Sequence, residues 1–163
     1  MPPTLFKNNL VVVDTMVIIN FHGLLALEKL VKWAKGEIVI ERRVKDEANF
    51  SMAGSIDLTP YLQNHSIIEE VIEGEELEEL FFQYSGRPIG KKVIHETDAA
   101  CLALAITKGH GLACDEKIVR DEFKKKCPDK ICLHSWGIVE RAQKIGLINK
   151  EEAADLKKGF YYV

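Results

Sequence analysis

Short runs of β-branched residues alternate along this chain with longer stretches in which apolar positions return every three or four residues. Residues 10–13 form a continuous apolar run, the pattern of a strand buried on both faces in a parallel sheet. From 21 to 35, Phe21, Leu24, Leu25, Leu27, Leu30, Val31 and Ala34 predict one amphipathic helix, stopped by Gly36. Residues 38–40 predict a second strand, 42–50 a short helix and 51–60, rich in Gly, Ser, Asp and Pro, a loop. Ile67 and Ile68 with Val71 and Ile72 suggest a weaker third strand. An acidic helix follows over 74–84, with Leu77, Leu80, Phe81 and Tyr84 on one stripe.

Residues 85–92, a Gly, Pro and basic segment, predict a loop. Thr97 is placed to cap a helix running to Lys108, which Gly109 and Gly111 end before a strand over 112–114. A helix over 116–126, a strand over 131–133 and two closing helices over 135–145 and 150–158 complete the pattern. Strands alternating with helices, several strands being wholly apolar, imply a three-layer α/β/α sandwich with a mostly parallel central sheet. Ligands of such folds gather at the carboxyl ends of the strands.

The 163 residues make one domain, and 47% apolar with 29% charged residues excludes a disordered, collagen-like or coiled-coil chain. Twenty-two basic against 25 acidic side chains give −3 with His neutral, so no overall basic field draws a polyanion; any such partner must be held locally. The longest apolar run is interrupted by Asp14 and Thr15, far short of the roughly 20 residues of a bilayer span. Residues 1–7 lack the pattern of a secretory signal, and the expected location is the cytoplasm. The four cysteines, Cys101, Cys114, Cys127 and Cys132, form no C-x-x-C pair and are expected as small buried hydrophobes rather than zinc ligands or a disulfide framework. The five histidines have no metal-binding spacing.

Four acids carry the candidate chemistry. Asp14 and Asp115 each follow a predicted buried strand, so a parallel sheet brings both to the same edge. Glu47 shares the helix side of Val44 and Ala48, toward the core, whereas Arg43 and Asp46 take the solvent side. Asp98 stands in the first helical turn in register with Leu102 and Ala105, on the stripe that faces the sheet. Each acid alone has an ordinary explanation as turn former, helix cap, or partner of Arg43 at i−4. Together, carboxylates sharing one apolar pocket repel unless a cation compensates. A hard oxygen donor set suits Mg²⁺ or Mn²⁺, and two such ions about 4 Å apart stabilise phosphoryl displacement.

The segments 11–21, 39–47, 96–105, 112–120 and 134–148, with Gly159-Phe160, resemble the PIN-domain ribonucleases, in particular a small prokaryotic group with a Gly-Leu-Ile and Gly-Phe ending. The resemblance spans nearly the whole chain. It implies a flavodoxin-like α/β/α sandwich, an acidic pocket for one or two Mg²⁺ or Mn²⁺ ions, and endoribonuclease activity. By position the family acids fall on Asp14, Glu47, Asp98 and Asp115. The family often carries Ser or Asn where this chain has Met16, so Thr15 or Asn20 is the substitute for that polar group. Glu96 and Glu116 adjoin the expected acids as second-rank ligands, and Arg120 is a second-rank phosphate contact.

The partners implied by the resemblance are RNA, an antitoxin protein for the toxin members, and a second copy of the chain. Basic groups at Arg42, Arg43 and Lys45, across 87–92, and across 124–126 are candidates for an RNA track or for solvated faces. Of the adjacent Phe81 and Phe82, one must leave the helix stripe, and an exposed Phe82 would mark a dimer or antitoxin surface. Met16 also argues against a haloacid-dehalogenase-like phosphatase, which needs an Asp there. The alternative reading is a PIN-like protein without turnover, acting as an RNA- or protein-binding scaffold.

Overall fold

The computed structural model of the chain describes residues 4–50, 54–89 and 92–160. β1 (Val11–Val13) is wholly buried, and the chain turns at Asp14 into α1 (Thr15–Gly23). The single helix expected over 21–35 is two helices, because α1 ends and α2 (Leu27–Ala34) begins on a new axis. The break is a Schellman ending: the Leu25 N–H donates to the His22 carbonyl and the Ala26 N–H to that of Phe21. Leu25 holds the left-handed position at φ 57°, where glycine usually sits, so no sequence punctuation marks the stop.

β2 (Ile38–Glu41) runs directly into α3 (Arg42–Asn49). Residues 54–58 are irregular, as expected of a loop, but α4 (Thr59–Gln63) starts inside that segment, with Pro60 in its first turn, where a missing N–H costs nothing. Residues 51–53 of the expected loop lie outside those described. β3 (Ile67–Glu70) contains Glu69 and Glu70 in place of the expected Val71 and Ile72. α5 (Glu75–Tyr84) follows. Part of the expected loop over 85–92 is an antiparallel hairpin, β4 (Pro88–Ile89) with β5 (Lys92–Val93).

α6 (Glu96–Lys108) starts two residues earlier than expected, with His95 rather than Thr97 at the N-cap and Thr97 inside the first turn. Gly109 ends it at φ 72°. β6 (Gly111–Ala113), α7 (Lys117–Lys126), β7 (Cys132–Leu133), α8 (Ser135–Lys144) and α9 (Lys150–Gly159) complete the chain. Asn149 and Glu152 close a reciprocal capping box at the start of α9.

The five-stranded sheet has the order β3-β2-β1-β6-β7, and all its pairings are parallel. Helices cover both faces, as the three-layer sandwich requires. Counting sheet strands alone, the order is 3-2-1-4-5, which differs in detail from the 2-1-3-4-5 of flavodoxin itself. Right-handed crossovers put the helices between β1 and β3 on one face and those between β3 and β7 on the other. The direction of winding reverses between β1 and β6. That switch point opens a crevice at the carboxyl edge, and the two strands on either side of it end in Asp14 and in Cys114 with Asp115. Gly111 is required at the base of β6: a Cβ there would lie 2.8 Å from the Ile131 carbonyl oxygen.

α6 crosses β1, β2 and β6 and is buried continuously from Thr97 to Ala105. Its alanines let it approach the sheet closely and bring its first turn over the carboxyl edge. Among the described residues no helix is long and apolar enough to cross a membrane.

Candidate metal centre at the sheet edge

Register decides which side chains meet. Val13 pairs with Ala113, so the next residues, Asp14 and Cys114, stand side by side at the ends of neighbouring strands. Parallel strands lie about 4.8 Å apart, close enough for the two side chains to touch. The Cys114 Sγ is 3.6 Å from Asp14 Oδ2. Cys101, one turn beyond Asp98 on α6, places its Sγ 3.9 Å from Asp14 Oδ1. Both thiols are buried and flank the same carboxyl.

Asp98 enters from the first turn of α6, where the helix N-terminus favours negative charge. Its carboxyl stands beside that of Asp14. One ligand atom each from Asp14, Asp98 and Cys114 fall within 4.8 Å of one another. Asp14 is 2% exposed and Asp98 9%. Burial pushes the Asp14 carboxyl well above the ordinary aspartate range, and the Asp98 charge pushes it further. Burial raises Asp98 as well, so the pair holds a proton between them at pH values where isolated aspartates are ionised. The same burial, reinforced by the Asp14 charge, holds both thiols well above their usual range.

Glu47 is at the rim. Its residue is exposed rather than turned into the core, yet its carboxylate is fixed. Oε1 accepts from the Thr15 hydroxyl at 2.5 Å and Oε2 from the Thr97 hydroxyl at 2.9 Å. The expected i−4 pairing with Arg43 does not form; Arg43 turns to Glu41 at 2.6 Å and Glu96 at 3.3 Å and stacks on Phe81 at 4.7 Å. Thr97, expected as a helix cap, orients Glu47 instead. Charge repulsion from Glu47 reaches both Asp14 and Asp98.

Asp115 stands beside this group and is held by three donors. Oδ1 accepts from the Ser135 N–H at 2.7 Å, and Oδ2 from the Ser135 hydroxyl at 2.7 Å and the Asn20 amide at 2.8 Å. It thereby ties α1, the end of β6 and the start of α8 together. The second-rank residues divide by role. Thr15 orients Glu47 and Asn20 orients Asp115. Arg120 donates to the Cys114 carbonyl at 2.8 Å, bracing the strand end. Glu96 is committed to Arg43. Glu116 is exposed and shares with Asp98 the lining of a cleft of about 320 Å³ that also touches Lys92 and His95.

Two features of the site are absent from the sequence expectation. Glu41, 1% exposed, ends β2 as Asp14 ends β1, and the acid directly after the run 38–40 is the same signal that marked Asp14 and Asp115. The other is the thiol pair, whose approach to Asp14 depends on strand register and on the crossing of α6.

Phe81 is buried and Phe82 is 74% exposed, the division expected of the pair. No protein-family model, no curated protein and no solved structure matches the chain.

Proposed function

We propose that this chain is a metal-dependent endoribonuclease of the PIN type, hydrolysing RNA phosphodiester bonds with one or two Mg²⁺ or Mn²⁺ ions at the carboxyl edge of the sheet. The observation that carries this reading is the meeting of Asp14 and Asp98 in a nearly closed pocket, where neither has a lysine or arginine ion-pair partner among the described residues. Two buried acids in contact are costly as carboxylates, and a divalent cation removes that cost. The donor set fits: hard oxygens from separate elements, with an opening toward solvent on the Asp98 side.

A divalent ion bound there supplies Lewis acidity toward a phosphoryl oxygen and toward the water that attacks phosphorus. Asp14 and Asp98 hold the ion, the first anchored on β1 and the second on the N-terminus of α6. Glu47, its two oxygens fixed by Thr15 and Thr97, stands at the rim to orient water and accept its proton. Lys92, on the hairpin beside the cleft, is placed to meet a phosphate of the strand. Asp115 holds the floor of the site in place through Ser135 and Asn20. Within this reading the chain is either the toxin of a toxin–antitoxin pair or an RNA-processing nuclease of the cytoplasm. The exposed Phe82 is the surface offered to an antitoxin or a second copy.

The test is cleavage of mixed tRNA and single-stranded RNA in Mn²⁺, Mg²⁺ or EDTA by the wild-type chain, Asp14→Asn and Asp98→Asn. Metal-dependent cutting, lost in both folded variants, is the expected result. No cutting in the presence of bound Mn²⁺ would turn the assignment to a scaffold without turnover.

A further inference from the structure

We propose that Cys114 is itself a metal ligand, so that the centre takes a thiophilic divalent ion of the zinc and cadmium class through one sulfur and the carboxylates of Asp14 and Asp98. This rests on the reading of the pocket as a divalent-ion centre and changes which ion it prefers. Carboxylate oxygens alone would favour Mg²⁺ or Mn²⁺, whereas a sulfur donor shifts selection toward softer ions.

Geometry singles out Cys114. A buried free cysteine ordinarily behaves as a small hydrophobe with a weak S–H donor. Here the strand register fixes Cys114 beside Asp14, and the Sγ faces Oδ2 at 3.6 Å. Ligand atoms around a four-coordinate zinc, with bonds of 2.0–2.3 Å, stand about 3.5 Å apart. The separation between Cys114 and Asp14 therefore already matches, and Asp98 completes three donors within 4.8 Å. Three protein ligands with one position left for water or substrate is the arrangement of catalytic rather than structural zinc. Cys101 contacts the other oxygen of Asp14 and falls outside the trio, so its thiol serves as a hydrogen-bond donor to the ligand. The backbone of Cys114 is braced on both sides: its N–H donates to the Leu133 carbonyl and its carbonyl accepts from Arg120. On binding, the Cys114 S–H proton leaves to solvent as the sulfur–metal bond forms, and no oxidation is involved.

The experiment is titration of the full chain with Co²⁺, read by absorption, for wild type, Cys114→Ser and Cys101→Ser. The expected result is a sulfur-to-cobalt charge-transfer band in wild type and Cys101→Ser that disappears in Cys114→Ser. Co²⁺ binding with ligand-field bands alone would overturn the sulfur ligand and leave an all-oxygen centre standing. A band lost in Cys101→Ser and kept in Cys114→Ser would overturn the choice of sulfur. Failure to bind Co²⁺ at all would overturn the metal centre and this inference with it. Should Cys114→Ser not fold by circular dichroism, cadmium NMR of the wild-type chain decides, since a sulfur ligand moves the resonance far from the all-oxygen range.

Discussion

Asp14, at the end of β1, and Asp98, in the first turn of α6, bring carboxyl oxygens within 4.8 Å of each other, and neither forms an ion pair with a lysine or arginine among the described residues. The pair comes from distant parts of the chain, and burial raises both carboxyls. In metal-free protein it sets a stability dependence whose sign is fixed. The folded state holds the Asp14 proton more tightly than the unfolded chain, so stability falls as pH rises from about 4 toward neutrality and stays lowered above the folded-state value. Asp14→Asn removes the titration. In EDTA, thermal melts of wild type and Asp14→Asn should converge in acid and separate toward neutral pH, with the variant the more stable. Excess divalent ion should reverse the order, stabilising wild type alone. Parallel melting curves at every pH would refute the shared proton.

Glu47 depends on two hydroxyls from different helices. Thr15 begins α1 and Thr97 sits in the first turn of α6, and both donate to a carboxylate on α3. Thr97→Val keeps the shape and removes one donor to a charged acceptor, at a cost of about 1.5 kcal/mol. The Glu47 side chain then gains freedom at the rim. RNA cleavage should fall further than metal affinity, because Asp14 and Asp98 are untouched. Isothermal titration with Mn²⁺ beside a cleavage assay separates the two; equal losses would place Glu47 among the principal ligands.

The middle of the sheet was legible because β1 and the first three residues of β2 are continuous apolar runs, whereas β3 at the edge carries Glu69 and Glu70 and gives a weaker signal. Asp14 was legible because it follows such a run, and Glu41 carries the same mark without having been singled out. What the sequence hides is lateral. Nothing near Cys114 reveals that Val13 pairs with Ala113, and hence that the thiol meets Asp14. The separation of α1 from α2 is hidden for another reason, since Leu25 adopts a backbone conformation that sequence reading assigns to glycine. Glu47 reads as core-facing from its helix phase, yet two threonine hydroxyls satisfy it at the surface.

Asp115 tests the distinction between holding a metal and holding the fold. Three donors converge on it, two from Ser135 and one from Asn20. Asp115→Asn makes one oxygen an N–H donor facing donors, a mismatch of about 2 kcal/mol. The expected outcome is a lowered melting temperature with metal affinity reduced less than in Asp98→Asn. A variant of wild-type stability that binds no ion would make Asp115 a principal ligand instead.

Glu41 and Arg43 form the remaining dependency of the edge. Glu41 is 1% exposed, accepts from the Arg43 N–H at 2.8 Å to cap α3, and meets the Arg43 guanidinium at 2.6 Å. Burial raises its carboxyl above the usual glutamate range despite this partner. Removing the cation with Arg43→Ala leaves a buried carboxylate unpaired and strips the cover from Phe81. Breaking a fully buried pair costs about 3–5 kcal/mol; with Arg43 34% exposed, solvent replaces part of the interaction and a loss of about 2 kcal/mol is expected. Glu41→Gln in the same chain removes the orphaned charge while keeping an acceptor for the α3 cap, so the double variant should recover much of the loss. Urea unfolding of both variants measures this directly. If the double variant were no more stable than Arg43→Ala, lost packing on Phe81 rather than the unpaired carboxylate would account for the effect.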